Sequence, residues 1–165
     1  MTTYLLDANV FIQAKNREYG FDFCPGFWQW LDESHRAGTT FSVDSVRDEL
    51  LKGEDELSYW AHERGADFFL SPDADALISM RAVSDWAMGA DYDPAAKNTF
   101  LGVADSMLVA QADAGGHVIV THERADNSRK RIKIPEAAIP LGIKCMSPYQ
   151  VLSVERARLV LEGAP

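Results

Sequence analysis

Short apolar runs, each separated from the next by a longer stretch of helical spacing, constrain this chain more than any other feature. Tyr4-Leu5-Leu6 ends directly in Asp7, Thr40 to Val43 runs into Asp44 and Ser45, and Val118-Ile119-Val120 stops at Thr121. Val118 to Val120, a brief β-branched run, fits a strand buried on both faces of a parallel sheet. Between these runs, apolar residues recur three and four apart, the period of a helix with one buried face.

The pattern predicts a definite order of elements. After Asp44 and Ser45, read as N-cap residues, Val46 and Leu50 form the apolar stripe of a helix that carries Glu49 beside it, punctuated by Gly53. Leu57, Trp60 and Ala61 continue in helical register to Gly65, and Phe68 to Leu70 reads as a short strand. Ser71-Pro72-Asp73 turns into a helix with a stripe of Leu77, Ile78, Ala82 and Trp86. Gly89 to Lys97 reads as a loop, and Phe100 to Ala114 as one helix stopped by Gly115-Gly116. Ile132 to Ile134 is a further strand candidate, Pro135 opens a small helix, and Ile143 to Met146 suggests a last strand. Ser147-Pro148 then starts a terminal helix that Gly163 closes. Strands alternating with helices imply an α/β fold, a three-layer α/β/α sandwich with a central, mostly parallel sheet. With 165 residues, 47% hydrophobic, residues 1–165 are expected to form a single domain around one core.

Several function classes are disfavoured. Cys24 and Cys145 lie far apart and outside any metal-binding spacing, so buried thiols in a reducing cytoplasm are expected. A formal charge of -9 repels a phosphate backbone at long range, which argues against non-specific coating of DNA. Neither a leader pattern nor an apolar run of roughly 20 residues is visible, so a cytoplasmic protein that does not enter a membrane is expected. A P-loop, a dinucleotide fingerprint and a GxSxG elbow are all missing.

What remains is a set of acids. Open parallel sheets bind ligands outside the carboxyl ends of their strands, where strand order reverses. Asp7 and Glu123 follow strands, while Glu49 and Asp105 lie on helices that can reach the same rim. Carboxylates gathered there repel one another, and a divalent cation relieves the repulsion. Mg²⁺ or Mn²⁺ takes oxygen ligands and keeps waters, so two or three acids suffice; the chemistry is phosphodiester hydrolysis by metal-activated water. Each acid also has an ordinary reading. Asp7 is placed to cap a helix, and Glu49, Asp105 and Glu123 would each be unremarkable as solvated charges.

The segment Leu5-Leu6-Asp7-Ala8-Asn9-Val10-Phe11-Ile12 resembles the opening of the PIN domain family. Ser45-Val46-Arg47-Asp48-Glu49-Leu50 is similar to that family's second acidic element and Ala104 to Ala112, with Asp105, to its third. Val118-Ile119-Val120-Thr121-His122-Glu123 resembles the fourth, except that the family usually has Asp where Glu123 stands, which makes Asp126 an alternative fourth acid. The resemblance covers almost the whole chain. Leu5 to Asn16, with Gly20 to Trp28, also resembles a PIN-like subgroup of unsettled function.

The resemblance implies a metal-dependent ribonuclease that cleaves single-stranded RNA, with Asp7, Asp105 and Glu123 coordinating Mg²⁺ or Mn²⁺ and Glu49 acting through water. Asn9, Ser106 and Thr121 would be supporting polar groups. Many small members resemble VapC toxins, which implies a homodimer and a co-expressed antitoxin protein as partners. A structure-specific DNA nuclease and a catalytically inactive PIN-like interaction module are the competing readings.

Arg124, Arg129, Lys130, Arg131 and Lys133 form the concentrated basic segment, suited to guiding phosphate and equally suited to being a solvated loop. Phe21, Phe23, Phe27, Trp28 and Trp30 crowd one segment, where core packing or a dimer contact is expected over base stacking. His122 is expected at the surface.

Overall fold

A computed structural model describes residues 1–162. The chain runs β1 (Tyr4–Leu6), α1 (Ala8–Gln13), a π-helical turn (Ala14–Glu18), α2 (Pro25–Arg36), β2 (Thr40–Val43), α3 (Asp44–Leu51), α4 (Glu56–His62) and β3 (Phe69–Leu70). It continues with α5 (Ala74–Gly89), α6 (Pro94–Gly102), α7 (Ala104–Gly115), β4 (Val118–Val120), α8 (Ile134–Ala138), a 3₁₀ turn (Ile139–Leu141), β5 (Cys145–Met146) and α9 (Pro148–Val154). The strands form one five-stranded sheet in the order β3-β2-β1-β4-β5, and every pairing between neighbours is parallel.

That order sets the geometry of everything else. From β1 the chain steps outward to β2 and β3, then returns over the sheet to β4 and β5 on the other side of β1. Right-handed crossovers send connections that run in opposite directions to opposite faces, so α1 to α4 cover one face and α5 to α8 the other. On the first face Trp28 of α2 meets Trp60 of α4 at 5.1 Å, and Phe11 of α1 lies 5.4 Å from Trp60. On the second, α5 lies along α7. β1 and β4 are buried along their whole length. Large side chains such as Phe11, Phe27, Phe68 and Leu108 are fully enclosed, each worth about 1.5–3 kcal/mol of burial.

Aromatic crowding in α2 is core packing for the most part. Phe27 and Trp28 are buried, Phe21 stacks on Trp28 at 4.0 Å, and Trp28 Nε1 donates to the Tyr19 carbonyl at 2.7 Å. Phe23, by contrast, is exposed. Cys24 and Cys145 are free thiols, half-buried where full burial was anticipated. No helix among the described residues is long and apolar enough to cross a membrane.

Several elements differ from the sequence expectation, each for a physical reason. Asp44 is the first residue of α3, and Val43, which offers no side-chain oxygen, stands at the N-cap. Residues 94–97 are not loop: Asp93 and Pro94 open α6, with proline in the first turn where its missing N–H costs nothing. The expected single helix over Phe100 to Ala114 is two helices, broken at Val103, whose extended backbone (φ -117, ψ 175) turns the chain. Gly116 does stop α7, in the left-handed conformation (φ 67) that glycine adopts without cost. In α5 the buried residues are Ala76, Val83 and Ala87, while Leu77, Ile78 and Ala82 face outward. Two helices that lie close together over a sheet meet through small side chains, and this selects the alanine face. Ile132 to Ile134 forms no strand; Ile134 is the first residue of α8. The terminal helix ends at Val154, and Gly163 lies outside the described residues.

Candidate active site

β1 pairs with β2 on one side and β4 on the other, so the strand order reverses between the carboxyl ends of β1 and β4. A cleft of about 830 Å³ opens there, and Asp7, Glu49, Asp105 and Glu123 all line it. Four acids distant in the chain therefore meet at one place, but they are not equivalent.

Asp7 leaves β1 at the floor of the cleft. Its backbone N–H still donates to the Val120 carbonyl of β4 at 3.0 Å, so the acid is fixed by the sheet itself. It is the N-cap residue of α1 by backbone position, yet its side chain makes no capping bond. Instead Oδ2 accepts a hydrogen bond from Thr121 Oγ1 at 2.9 Å. Thr121 Oγ1 in turn accepts from Asn9 Nδ2 at 3.4 Å and from the Glu123 backbone N–H at 3.1 Å, which uses all its hydrogen-bonding capacity. Asn9 Oδ1 accepts the His122 backbone N–H at 3.2 Å. Asn9 and Thr121 thus tie the ends of β1 and β4 together around one carboxylate.

Asp7 is almost fully enclosed and has no ion-pair partner among the described residues. Burial, with Asp105 nearby, pushes its carboxyl up to about 8, and the Thr121 bond offsets only part of that. Asp105 stands in the first turn of α7, which the break at Val103 aims at the cleft. Burial, then Glu123 and Glu49, push its carboxyl up to about 6. Two acids that hold protons near neutral pH, without a cationic side chain bonded to either, fit a divalent cation with an all-oxygen shell. Mg²⁺ commonly takes one or two carboxylates and completes its shell with waters.

Glu123 does not fit the same description. Its Oε1 accepts from Arg131 Nη2 and its Oε2 from the Ile134 backbone N–H at 2.8 Å, so both oxygens are engaged by the protein. Among the described residues no group of three or more His, Cys, Asp or Glu side chains is arranged to hold a metal ion. Glu123 thus lines the cleft with both carboxylate oxygens already bonded to protein donors. Asp126, the alternative fourth acid, pairs with Lys133 and is not among the residues that line the cleft.

Glu49 is exposed on the polar face of α3. Ser45 and Asp48 of the same helix, and Lys52 at its C-cap, line the cleft, and sequence reasoning missed them as site residues. Their spacing was the available signal: Asp48, Glu49 and Lys52 stand three, four and seven residues after Ser45, along one face opposite Val46 and Leu50. Ser45 Oγ is shielded from solvent and has no hydrogen-bond partner among the described residues. Ser106 supports no carboxylate; its buried hydroxyl points to the carbonyls of Leu101 and Val103 at 3.5 and 3.3 Å and holds the turn before α7. Of the basic segment, Lys130 and Arg131 reach the cleft, Arg129 pairs with Asp91, and Arg124 is exposed away from it. His122 is half-buried, its ring 5.6 Å from that of Tyr149.

Comparison with known proteins fits this architecture. Among solved structures the chain is similar to the one described as the crystal structure of FitAcB from Neisseria gonorrhoeae, at 16% identity and a TM-score of 0.55, covering 89% of this chain and 99% of that one. A likeness at that identity shows the fold, here the PIN-like arrangement of a parallel five-stranded sheet between helices. No curated protein matches the chain. The match that names a family is to a domain of unknown function, DUF4411, and because it extends over residues 4–159 the chain belongs to that family.

Proposed function

We propose that this protein is a divalent-metal-dependent endoribonuclease that cleaves single-stranded RNA. The observation that carries the proposal is the pair Asp7 and Asp105, two acids with raised proton affinity at the point where strand order reverses. Asp7 and Asp105 would hold Mg²⁺ or Mn²⁺, with Glu49 acting through water from the wall above. The bound ion would supply an activated water and charge stabilisation at the phosphate. Thr121 and Asn9 keep Asp7 oriented for that task, since the Thr121 hydroxyl donates to one carboxylate oxygen and Asn9 holds that hydroxyl in place. Lys52 on α3 and Lys130 and Arg131 on the opposite wall give an acidic cleft the positive rims that a polyanion needs.

Resemblance to the VapC toxins extends the proposal to a cytoplasmic toxin, silenced by an antitoxin protein and working as a homodimer. Incubation of the purified protein with single-stranded RNA and Mn²⁺ tests the core of it: cleavage lost in EDTA supports the reading, and cleavage that persists in EDTA sinks it. The engagement of Glu123 by protein donors favours one alternative, an inactive PIN-like interaction module. Calorimetry separates the two, because an inactive module would take up no Mn²⁺.

A further inference from the structure

Taking the nuclease reading as its basis, we infer that Glu123 is a positioning residue that clamps a basic loop against the cleft and is not a ligand of the metal. The loop from residue 124 to residue 133 contains no helix or strand, yet it is fastened at several points. Glu123 grips its far end twice, through the Arg131 guanidinium and the Ile134 backbone N–H. Glu136 grips it again, accepting from the backbone N–H groups of Asp126 and Lys133 at 3.0 Å each. Lys133 closes the circuit by pairing with Asp126. Ile134 is fully buried, so the point where Glu123 takes hold is rigid.

The clamp and the acid floor are one structure. Glu123 donates its backbone N–H to the same Thr121 hydroxyl that holds Asp7. Rotation of the Glu123 side chain toward the floor would abandon a charge-assisted bond to Arg131 and leave the Ile134 N–H without its partner. The Glu123 side chain is 11% exposed while Arg131 is 63% exposed, so the buried acid sets the position and the exposed guanidinium presents its remaining donors to the cleft. Arginine suits that task, because its five donors allow one carboxylate and one phosphate to be bound at once. The length of Glu123 also matters. An aspartate is one methylene shorter and could not keep both Arg131 and Ile134 from the same backbone position, which accounts for glutamate where the PIN pattern has aspartate.

Three variants, Glu123→Gln, Glu123→Asp and Arg131→Ala, test this with the full chain, each checked first by thermal melting. By calorimetry, Glu123→Gln and Glu123→Asp should bind Mn²⁺ within about 2-fold of wild type, whereas loss of 10-fold or more would overturn the inference. In steady-state cleavage of a short single-stranded RNA, KM should rise about 10-fold in all three with kcat changed far less, and Glu123→Gln combined with Arg131→Ala should add nothing further. A fall in kcat at constant KM would overturn it. Amide exchange gives a reading independent of catalysis: protection of Ile134 and of the loop before it should drop about 10-fold in Glu123→Asp, and unchanged protection would refute the clamp. Wild type that neither binds Mn²⁺ nor cuts RNA would sink the nuclease reading, and amide exchange would then decide the clamp alone.

Discussion

Asp7 and Glu123 follow neighbouring parallel strands and sit on the same edge of the sheet, yet the fold treats them in opposite ways. Asp7 is enclosed with a single hydroxyl donor, so its charge is poorly compensated and its proton affinity is high. Glu123 is given an arginine and a backbone N–H, so its charge is matched within the protein. An acid left unmatched in a buried place costs stability and is free to bind something else; an acid already matched is a fastening. Two acids that look alike in the sequence are divided by what the tertiary structure sets beside them.

The largest expected effect comes from breaking the unmatched pair. Asp7→Asn or Asp105→Asn should lower RNA cleavage on the order of 10³-fold while leaving the circular dichroism spectrum intact. Cleavage retained by either variant would remove the distinction drawn between these acids and Glu123.

A second effect concerns the protein without metal. Asp7 holds its proton up to about 8 in the fold and to about 3.8 when unfolded, so between those values the unfolded chain ionises first and stability falls as pH rises. Asp105 adds to the loss up to about 6. In EDTA, Asp7→Asn should therefore be more stable than wild type by roughly 2–4 kcal/mol at pH 7.5, with the gain vanishing near pH 4. Denaturant titrations at the two pH values measure this, and a variant less stable at both would show that Asp7 is matched after all.

Thr121→Val removes the hydroxyl that donates to Asp7, together with the acceptor for Asn9 and for the Glu123 backbone. A loss of about 1–3 kcal/mol in denaturant unfolding is expected, with weaker Mn²⁺ binding. Ser106→Ala should do least, under about 1 kcal/mol and with little change in cleavage, because that hydroxyl meets only the carbonyls of Leu101 and Val103 at long range. A large loss of cleavage in Ser106→Ala would return it to the supporting role that the sequence resemblance gave it.

Much of the frame was legible in the residues. Tyr4 to Leu6, Thr40 to Val43 and Val118 to Val120 are strands with the expected bounds; the first and last are wholly apolar runs that can be satisfied only between two covered faces. The convergence of the acids on the strand ends followed from the same alternation. The elements near residue 94 and at Val103 were not legible because an Ala-rich segment with polar residues carries little periodic signal, and a lone glycine such as Gly102 inside a helical pattern does not by itself mark a break. The outward face of α5 was misread because Leu77 and Ile78 are more apolar than Ala76 and Ala87, and only the closeness of α7 makes size outweigh hydrophobicity.

Local chemistry, then, fixed where strands end and which acids stand at those ends, since strand propensity and the placement of an acid after an apolar run act over a few neighbouring residues. Which acid is matched and which is left bare was decided by partners distant in the chain: Asp105 lies beside Asp7, while Arg131 and the Ile134 backbone lie beside Glu123. Electrostatic environment depends on distances in space, and those exist only once the sheet has closed around its core.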